Sequence, residues 1–404
     1  MIINVDKVFN KLLSNVARKP NRYLYDTFEL DERLLGLIGP RGVGKTTMLL
    51  QYIKNKIKDK SKVLYFSADS ILFMEKTLYE FIDEKFEIDG IDTFFIDEIH
   101  KYPNWNQELK NIYDSCPDIN IVFSGSSSMS LVKGHYDLSR RGGLYRLQTL
   151  SFREYLNLSL KLELKSYSFD EIINNHIDIS VELSEIPQIM GHFKDFLKIG
   201  AYPYFLEGDK FYKEKLFNSI EKMIYEDIPS LYNLKTEKLY LFKKIITTMS
   251  VIPPGELNIN KLARNVGCDS KTTEHYVNIL SETSLVRKIY SDSQGAALMR
   301  RPEKIFLNDS NIYSAITETI GINENLGIVR EIFFVSSIEN SGGSIFYSKE
   351  GGDYRCNNIV FEIGDPGKTK KQIKNIKGDA YLVKDNMSIG SKKEIPLYLF
   401  GFLY

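Results

Sequence analysis

Residues 33–53 read RLLGLIGPRGVGKTTMLLQYI, an apolar run that ends at Gly39 and reopens after Lys45 and Thr46 as a helix with apolar periodicity. The run before Gly39 predicts a strand, and the segment after Gly44 an amphipathic helix. Glycines at 39, 42 and 44 let the connecting backbone curl until its N–H groups point inward, next to the positive end of the helix dipole. That is a cradle for phosphate oxygens. Gly39, Pro40, Arg41, Gly42, Val43, Gly44, Lys45, Thr46 and Thr47 are therefore the expected nucleotide contacts. Lys45 neutralises phosphate charge, and the Thr46 hydroxyl is placed for Mg2+.

Phosphate transfer to water needs a second carboxylate for the metal and a base for the water. TFFIDEIH, residues 93–100, supplies both at a strand's carboxyl end. Asp97 is placed to hold the Mg2+ shell and Glu98 to orient and deprotonate the attacking water. KVLYFSAD lies between the two motifs and NIVFSGSSS follows them. Strands alternating with helices require a parallel sheet with right-handed crossovers. An extra strand between phosphate loop and acidic pair is the arrangement of the additional-strand, catalytic-glutamate division of P-loop NTPases. The fold class expected is α/β, a parallel sheet of that type. Ser124, at the end of the later strand, is a candidate contact to the γ phosphate. Arg140 and Arg141 precede what reads as the last core strand, Leu144 to Leu147, and Arg141 is the preferred arginine finger.

GPRGVGKTTML, FFIDEIHKYPNWNQELK, FSGSSS and LSRRGGLYRLQTLSFREYL together resemble the prokaryotic AAA-type ATPases that carry a C-terminal nuclease-like region. The resemblance spans roughly residues 30 to 160. It implies an ATP-dependent switch or motor-like module, with dimers or rings of the chain as the expected assembly. It also implies an arginine at the place of Arg141 before the LSF segment. Trp105, the sole tryptophan, is expected to pack in the core rather than stack on a base.

The expected division is an ATPase core over 1–150, a helical lid over 151–232, a winged helix-turn-helix over 233–300 and a restriction-endonuclease-like domain over 301–404. GAYPYFLE, residues 200–207, reads either as a hinge of the lid or as an ordinary interhelix turn. LYLFKKIITTMS, NINKLARNVGCD and SKTTEHYVNILSETSL read as three helices, with a turn at Gly267 and a Ser-capped last helix. In a DNA-reading version Lys271, Thr272 and His275 would face the major groove. Glu274 and Glu282 weaken that face electrostatically, so packing or oligomerisation is the competing role.

FYSKEGGDYRCNNIVFEIGDPGKTKKQI, residues 346–373, holds two β-rich stretches around Asn357-Asn358, a pair suited to a two-residue primed turn. Such a turn opposes Asp353 and Glu362, whose charges repel unless a metal or lysine intervenes. This resembles the PD-(D/E)xK nuclease hairpin, with Glu331 matching the additional acidic position. The lysine position is occupied by Gly364, so a degenerate domain is expected and nuclease activity is not. Lys368, Lys370 or Lys371 could reach back. Lys370, Lys374 and Lys377 form a stripe that fits a phosphate backbone or, equally, a solvated surface.

The chain has 404 residues, with 53 Lys plus Arg against 53 Asp plus Glu, so no global field drives it to nucleic acid or anionic membrane. Apolar residues at 43% place it among packed globular proteins. No apolar stretch reaches membrane-spanning length, and MIINVDKVFNKLL lacks the pattern of a secretory leader. A soluble cytoplasmic protein with reduced Cys116, Cys268 and Cys356 is expected. ATP and Mg2+ are the expected cofactors, and DNA or a protein the partner. Three functions fit the residues: an ATP-hydrolysing switch, a nucleotide-gated scaffold with negligible turnover, and a metal-dependent nuclease in the C-terminal domain.

Overall fold

The computed structural model describes residues 4–17, 19, 22–127, 141–232, 234, 236–291, 302–349, 351–369, 373, 374, 376 and 378–404. The chain divides into two compact units, one of residues 1–148 with 222–236, the other of 149–221 with 237–404.

The first unit is built on strands β1 (Leu34–Ile38), β2 (Val63–Ser67), β3 (Thr93–Asp97), β4 (Asn120–Gly125) and β5 (Gly143–Arg146). They form a five-stranded sheet in the order β2-β3-β4-β1-β5. Every pairing is parallel, with Ile38 beside Gly125, Ile96 beside Phe123 and Leu35 beside Gly143. β1 is buried along its whole length, which is why its sequence is an unbroken apolar run. This is the P-loop NTPase fold, with β4 lying between β1 and β3, and β4 and β3 together separating β1 from its sequence neighbour β2.

Helices α1 (Val5–Asn15), α2 (Lys45–Lys56), α3 (Leu78–Asp89) and α4 (Trp105–Ser115) complete the unit. α3 starts at a capping box of Thr77 and Glu80. Trp105 is buried with its ring 6.2 Å from Phe123, a core role. The segment 222–236 adds a π-helical turn, Met223–Asp227, and a short helix, Ile228–Tyr232. Met223, Ile224 and Ile228 are buried there, and bury with them an acid, Asp227.

The second unit runs through helices α5 (Phe152–Ser159), α6 (Phe169–Ser184), α7 (Ile189–Ile199) and α8 (Tyr212–Lys222). After the return to the first unit come α9 (Tyr240–Val251), α10 (Ile259–Val266) and α11 (Ser270–Glu282). An antiparallel pair follows, β6 (Val286–Ile289) and β7 (Lys304–Leu307). Gly267, in the left-handed region at φ 77°, closes α10 as the turn expected there. The last of these helices is capped by Asp269, not by the expected Ser270, because the Asp269 carboxylate accepts from the Thr272 N–H.

Helices α12 (Ser310–Thr319) and α13 (Leu326–Asn340) then precede strands β8 (Phe346–Tyr347), β9 (Tyr354–Cys356), β10 (Ile359–Gly364), β11 (Ala380–Lys384) and β12 (Glu394–Pro396). These form a mixed sheet in the order β12-β11-β10-β9-β8. A buried polar network ties residue 201 and the end of α7 to the start of α12. Asn311 Oδ1 accepts from the Ala201 N–H at 2.9 Å and from the Tyr212 hydroxyl at 2.5 Å. Its Nδ2 donates to the carbonyls of Phe196 and Leu197. Tyr202 donates to Asp309 at 2.9 Å. Among the described residues no helix is long and apolar enough to cross a membrane.

Candidate functional site

The carboxyl edge of the first unit's sheet gathers the expected residues. β1 runs into Gly39, β3 ends in Asp97 and β4 carries Ser124 one residue from its end. In an open parallel α/β sheet this edge is where ligands bind. Gly42 and Gly44 stand at φ 83° and 94°, a region L side chains rarely adopt, so the loop can curl only with glycine there. α2 begins at once with Lys45. Its ammonium donates to the carbonyls of Gly39 at 3.0 Å and Pro40 at 3.1 Å, folded into the loop it serves. Burial lowers the Lys45 pKa, while the carboxylates of Glu98, Asp97 and Asp227 pull it back up.

Asp97 is the hub. Its Oδ2 accepts from the Thr46 hydroxyl at 2.5 Å and the Tyr65 hydroxyl at 2.6 Å. Its Oδ1 accepts from the Ser124 hydroxyl and from the Glu98 N–H at 3.2 Å. Burial and the neighbouring Asp97 charge push the Tyr65 phenol far above its usual range, so it stays a donor. The Thr46 hydroxyl and the Asp97 carboxylate thus present hard oxygens side by side, the donor set that suits Mg2+, an ion that takes one or two protein oxygens and completes its shell with phosphate and water. Glu98 sits in the left-handed region at φ 52°, with its side chain 28% exposed. Backbone strain of this kind in a non-glycine residue concentrates at functional positions.

A second charged cluster abuts the first. The Asp227 carboxylate, 3% exposed, accepts from Arg41 Nη1 of the phosphate loop at 3.2 and 3.3 Å and from Lys101 Nζ at 2.7 Å. His100 Nε2 lies 3.8 Å from Asp227 and 3.4 Å from the Glu98 carboxylate. Burial would raise the Asp227 pKa, but the His100 ring and the Lys101 ammonium beside it outweigh this and hold it well below the usual carboxylate range. Tyr65, His100, Lys101 and Asp227 are the residues the sequence reading missed. One signal was present: Asp227 interrupts an otherwise apolar helical face in MIYEDI.

Arg141 is not brought to this edge. It precedes β5, whose Gly143 pairs with Leu35 near the start of β1, so it stands at the amino edge of the sheet. There its guanidinium pairs with Asp114 at 3.0 and 3.1 Å. Arg140 lies outside the described residues.

The acids expected at the C-terminal site are found in the second unit. Asn357 and Asn358 both have positive φ, 46° and 65°, the primed turn their sequence demands. The ladder pairs Cys356 with Ile359, Arg355 with Val360 and Tyr354 with Phe361, then stops. Asp353 is therefore not a ladder partner of Glu362. Its N–H donates to the Phe361 carbonyl at 2.8 Å, and its carboxylate accepts from the Ile363 N–H at 2.9 Å.

Lys368 reaches back to both acids, pairing with Glu362 and lying 3.8 Å from Asp353. Gly364 makes this reach possible, because a Cβ there would come within 2.0 Å of Lys368 Cδ. Burial raises both carboxyls. Glu331 is paired with Lys304 at 2.7 Å and accepts from the Tyr354 hydroxyl. It shares a cleft of 530 Å³ with Asp353, Arg330 and Lys368. Among the described residues no group of three or more His, Cys, Asp and Glu gathers as a metal cage. Lys370, Lys371 and Lys377 lie outside the described residues. On α11, Lys271 and His275 are exposed and Thr272 is half-buried.

Residues 31–156 match the AAA domain family, and residues 190–325 match a family described as a domain of unknown function. The chain is 28% identical over 404 residues to the uncharacterised protein MJ1637 of Methanocaldococcus jannaschii, a match covering 90% of this chain and 84% of that protein. It is 23% identical over 261 residues to MJ1544 of the same organism, covering 62% and 55%. Similar solved structures include AMPPCP-bound DnaA from Aquifex aeolicus, at 16% identity and a TM-score of 0.27 over 70% of this chain and 89% of that one. The Aeropyrum pernix ORC2 protein in ADPNP-ADP complexes is 13% identical, with a TM-score of 0.36 over 79% of this chain and 94% of the other. The stretch that matches the AAA domain family holds the phosphate loop, the acidic pair and Ser124.

Proposed function

We propose, from an AAA-type P-loop domain over residues 31–156, that the protein binds ATP with Mg2+ and hydrolyses it, as a switch that couples nucleotide state to a DNA or protein partner. The observation that carries this is the meeting of Thr46, Ser124 and the Asp97 carboxylate at the mouth of the phosphate loop. Thr46 and Asp97 would hold Mg2+, which when bound neutralises phosphate charge. Lys45 and the loop N–H groups bind and orient the phosphates, Ser124 stands beside the γ position, and Glu98 accepts the proton of the attacking water.

Arg141, at the far edge of its own sheet, is assigned to the nucleotide of a neighbouring copy. The lid reading of 151–232, the winged-helix reading of 233–300, the nuclease-like reading of 301–404 and a soluble cytoplasmic location belong to the same proposal. In the C-terminal site Lys368 stands in for the lysine missing at 364, and the three acids are each satisfied by cations or donors. That favours a recognition domain over a nuclease.

Mg2+-dependent ATP turnover by the purified protein tests the reading. Glu98→Gln is expected to cut turnover by about 10²- to 10⁴-fold while leaving nucleotide affinity within a few-fold. Wild-type protein that binds ATP and does not turn it over overturns the enzymatic half. The scaffold reading would then stand, supported by the close approach of His100 to Glu98. Equal partner affinity with ATP, ADP and no nucleotide would sink the scaffold in turn.

A further inference from the structure

Asp227 is a buried anion whose partners all belong to the nucleotide machinery. Arg41 comes from the phosphate loop itself, and His100 and Lys101 stand two and three residues after Glu98. The residue ends a π-helical turn, a local geometry that recurs at functional positions. A second, independent observation points to a moving part. The His100 side chain is 1% exposed, and neither ring nitrogen has a hydrogen-bond partner. A buried imidazole in that condition costs free energy unless another arrangement of the site satisfies it. Two carboxylates crowd one nitrogen, Nε2, Glu98 at 3.4 Å and Asp227 at 3.8 Å, and neither completes a hydrogen bond with it.

We propose that Asp227 is a positioning residue that competes with the γ phosphate of a bound nucleoside triphosphate for Arg41. This rests on the phosphate loop being a nucleotide site. Without the γ phosphate the Arg41 guanidinium stays on Asp227, and the 222–236 segment is clamped to the loop. A triphosphate brings a denser anion to the same guanidinium. Arg41 turns to it, Asp227 keeps Lys101 alone, and His100 is released to hydrogen-bond one of its two carboxylates. The clamp and the γ phosphate are thus coupled through one cation, and the coupling is reciprocal. The chain on either side of the clamped segment leads into residues 149–221 and 237–404. Loosening the clamp is therefore felt directly at both points where the chain enters the second unit.

The test is hydrogen exchange of the 222–236 amides in the full chain, with ADP, with a non-hydrolysable triphosphate analogue and with no nucleotide, beside affinities for both nucleotides. In wild-type protein the triphosphate analogue should speed exchange in this segment by about fivefold or more, and ADP should not. Asp227→Asn should show fast exchange in all three states, bind the triphosphate analogue about fivefold more tightly and change ADP affinity less than twofold. Arg41→Gln breaks the same pair from the more exposed partner. It should free the segment as Asp227→Asn does but weaken the triphosphate, a split that a merely structural pair would not produce.

Exchange in 222–236 that is indifferent to nucleotide in wild-type protein overturns the proposal. So does unchanged triphosphate affinity in Asp227→Asn. Should Asp227→Asn not fold, Arg41→Gln decides alone, a clamped segment in that variant being fatal. Wild-type protein that binds neither nucleotide removes the functional reading first and this inference with it.

Discussion

At the scale of single residues, the site is a set of charges whose positions decide their protonation. Asp227 is deprotonated at a lower pH in the folded chain than in the unfolded one, because His100 and Lys101 face its carboxylate. Its contribution to stability is therefore complete above the ordinary carboxylate range near pH 4 and drains away as pH falls below it. Asp227→Asn should flatten the acid limb of a stability-against-pH curve and cost roughly 1–3 kcal/mol at neutral pH, read by denaturant titration. Only the first half of this site was legible in advance. Asp97, Glu98 and Ser124 lie at or beside strand ends and Lys45 and Thr46 open α2, in short motifs whose local spacing is enough to predict that they meet. Asp227 meets Arg41 across 186 residues, and no periodicity encodes such a contact. Gly364 likewise read as a loss, whereas it is the gap through which Lys368 arrives.

At the scale of elements, the second unit depends on one asparagine where α7, the turn after it, α8 and α12 converge. Asn311 spends both side-chain atoms on five partners, the N–H of Ala201, the hydroxyls of Tyr212 and Ser310 and the carbonyls of Phe196 and Leu197. Asn311→Ala would leave those groups buried without partners, and a loss of about 2–5 kcal/mol is expected, measured by the urea midpoint. Asn311→Asp keeps the acceptor but not the amide donor, and should fall between the two. The turn at Gly200 to Pro203 was readable from its residues, and so was the Asn357-Asn358 hairpin with its register, because turn chemistry is local. The network beneath that turn was not. Its members, Tyr202, Tyr212, Asp309 and Asn311, sit in separate stretches, and each alone reads as an ordinary polar residue.

At the scale of the whole molecule, the position of Arg141 makes a statement about assembly. Arg141 is held at the amino edge of its own sheet by Asp114, so its proposed finger role requires a phosphoryl group in another copy of the chain. Glu98→Gln and Arg141→Ala should each abolish turnover alone, yet a mixture of the two should recover part of it, since one sound site forms wherever an intact Glu98 meets an intact Arg141. A mixture as inactive as its components would remove the finger role from Arg141. Mass measurement with and without a triphosphate analogue should show assembly in its presence.

The first unit's discontinuity also bears on how the molecule is made. Its sheet is complete at residue 148, but the strip that buries Met223 and carries Asp227 to Arg41 emerges only after the intervening helices have been synthesised. At roughly 5–20 residues per second, Arg41 and Lys101 wait on the order of ten seconds on the ribosome for their shared counter-ion. Until the strip arrives, the two cations and the surface that packs on Met223 are both without the partner that the finished unit gives them.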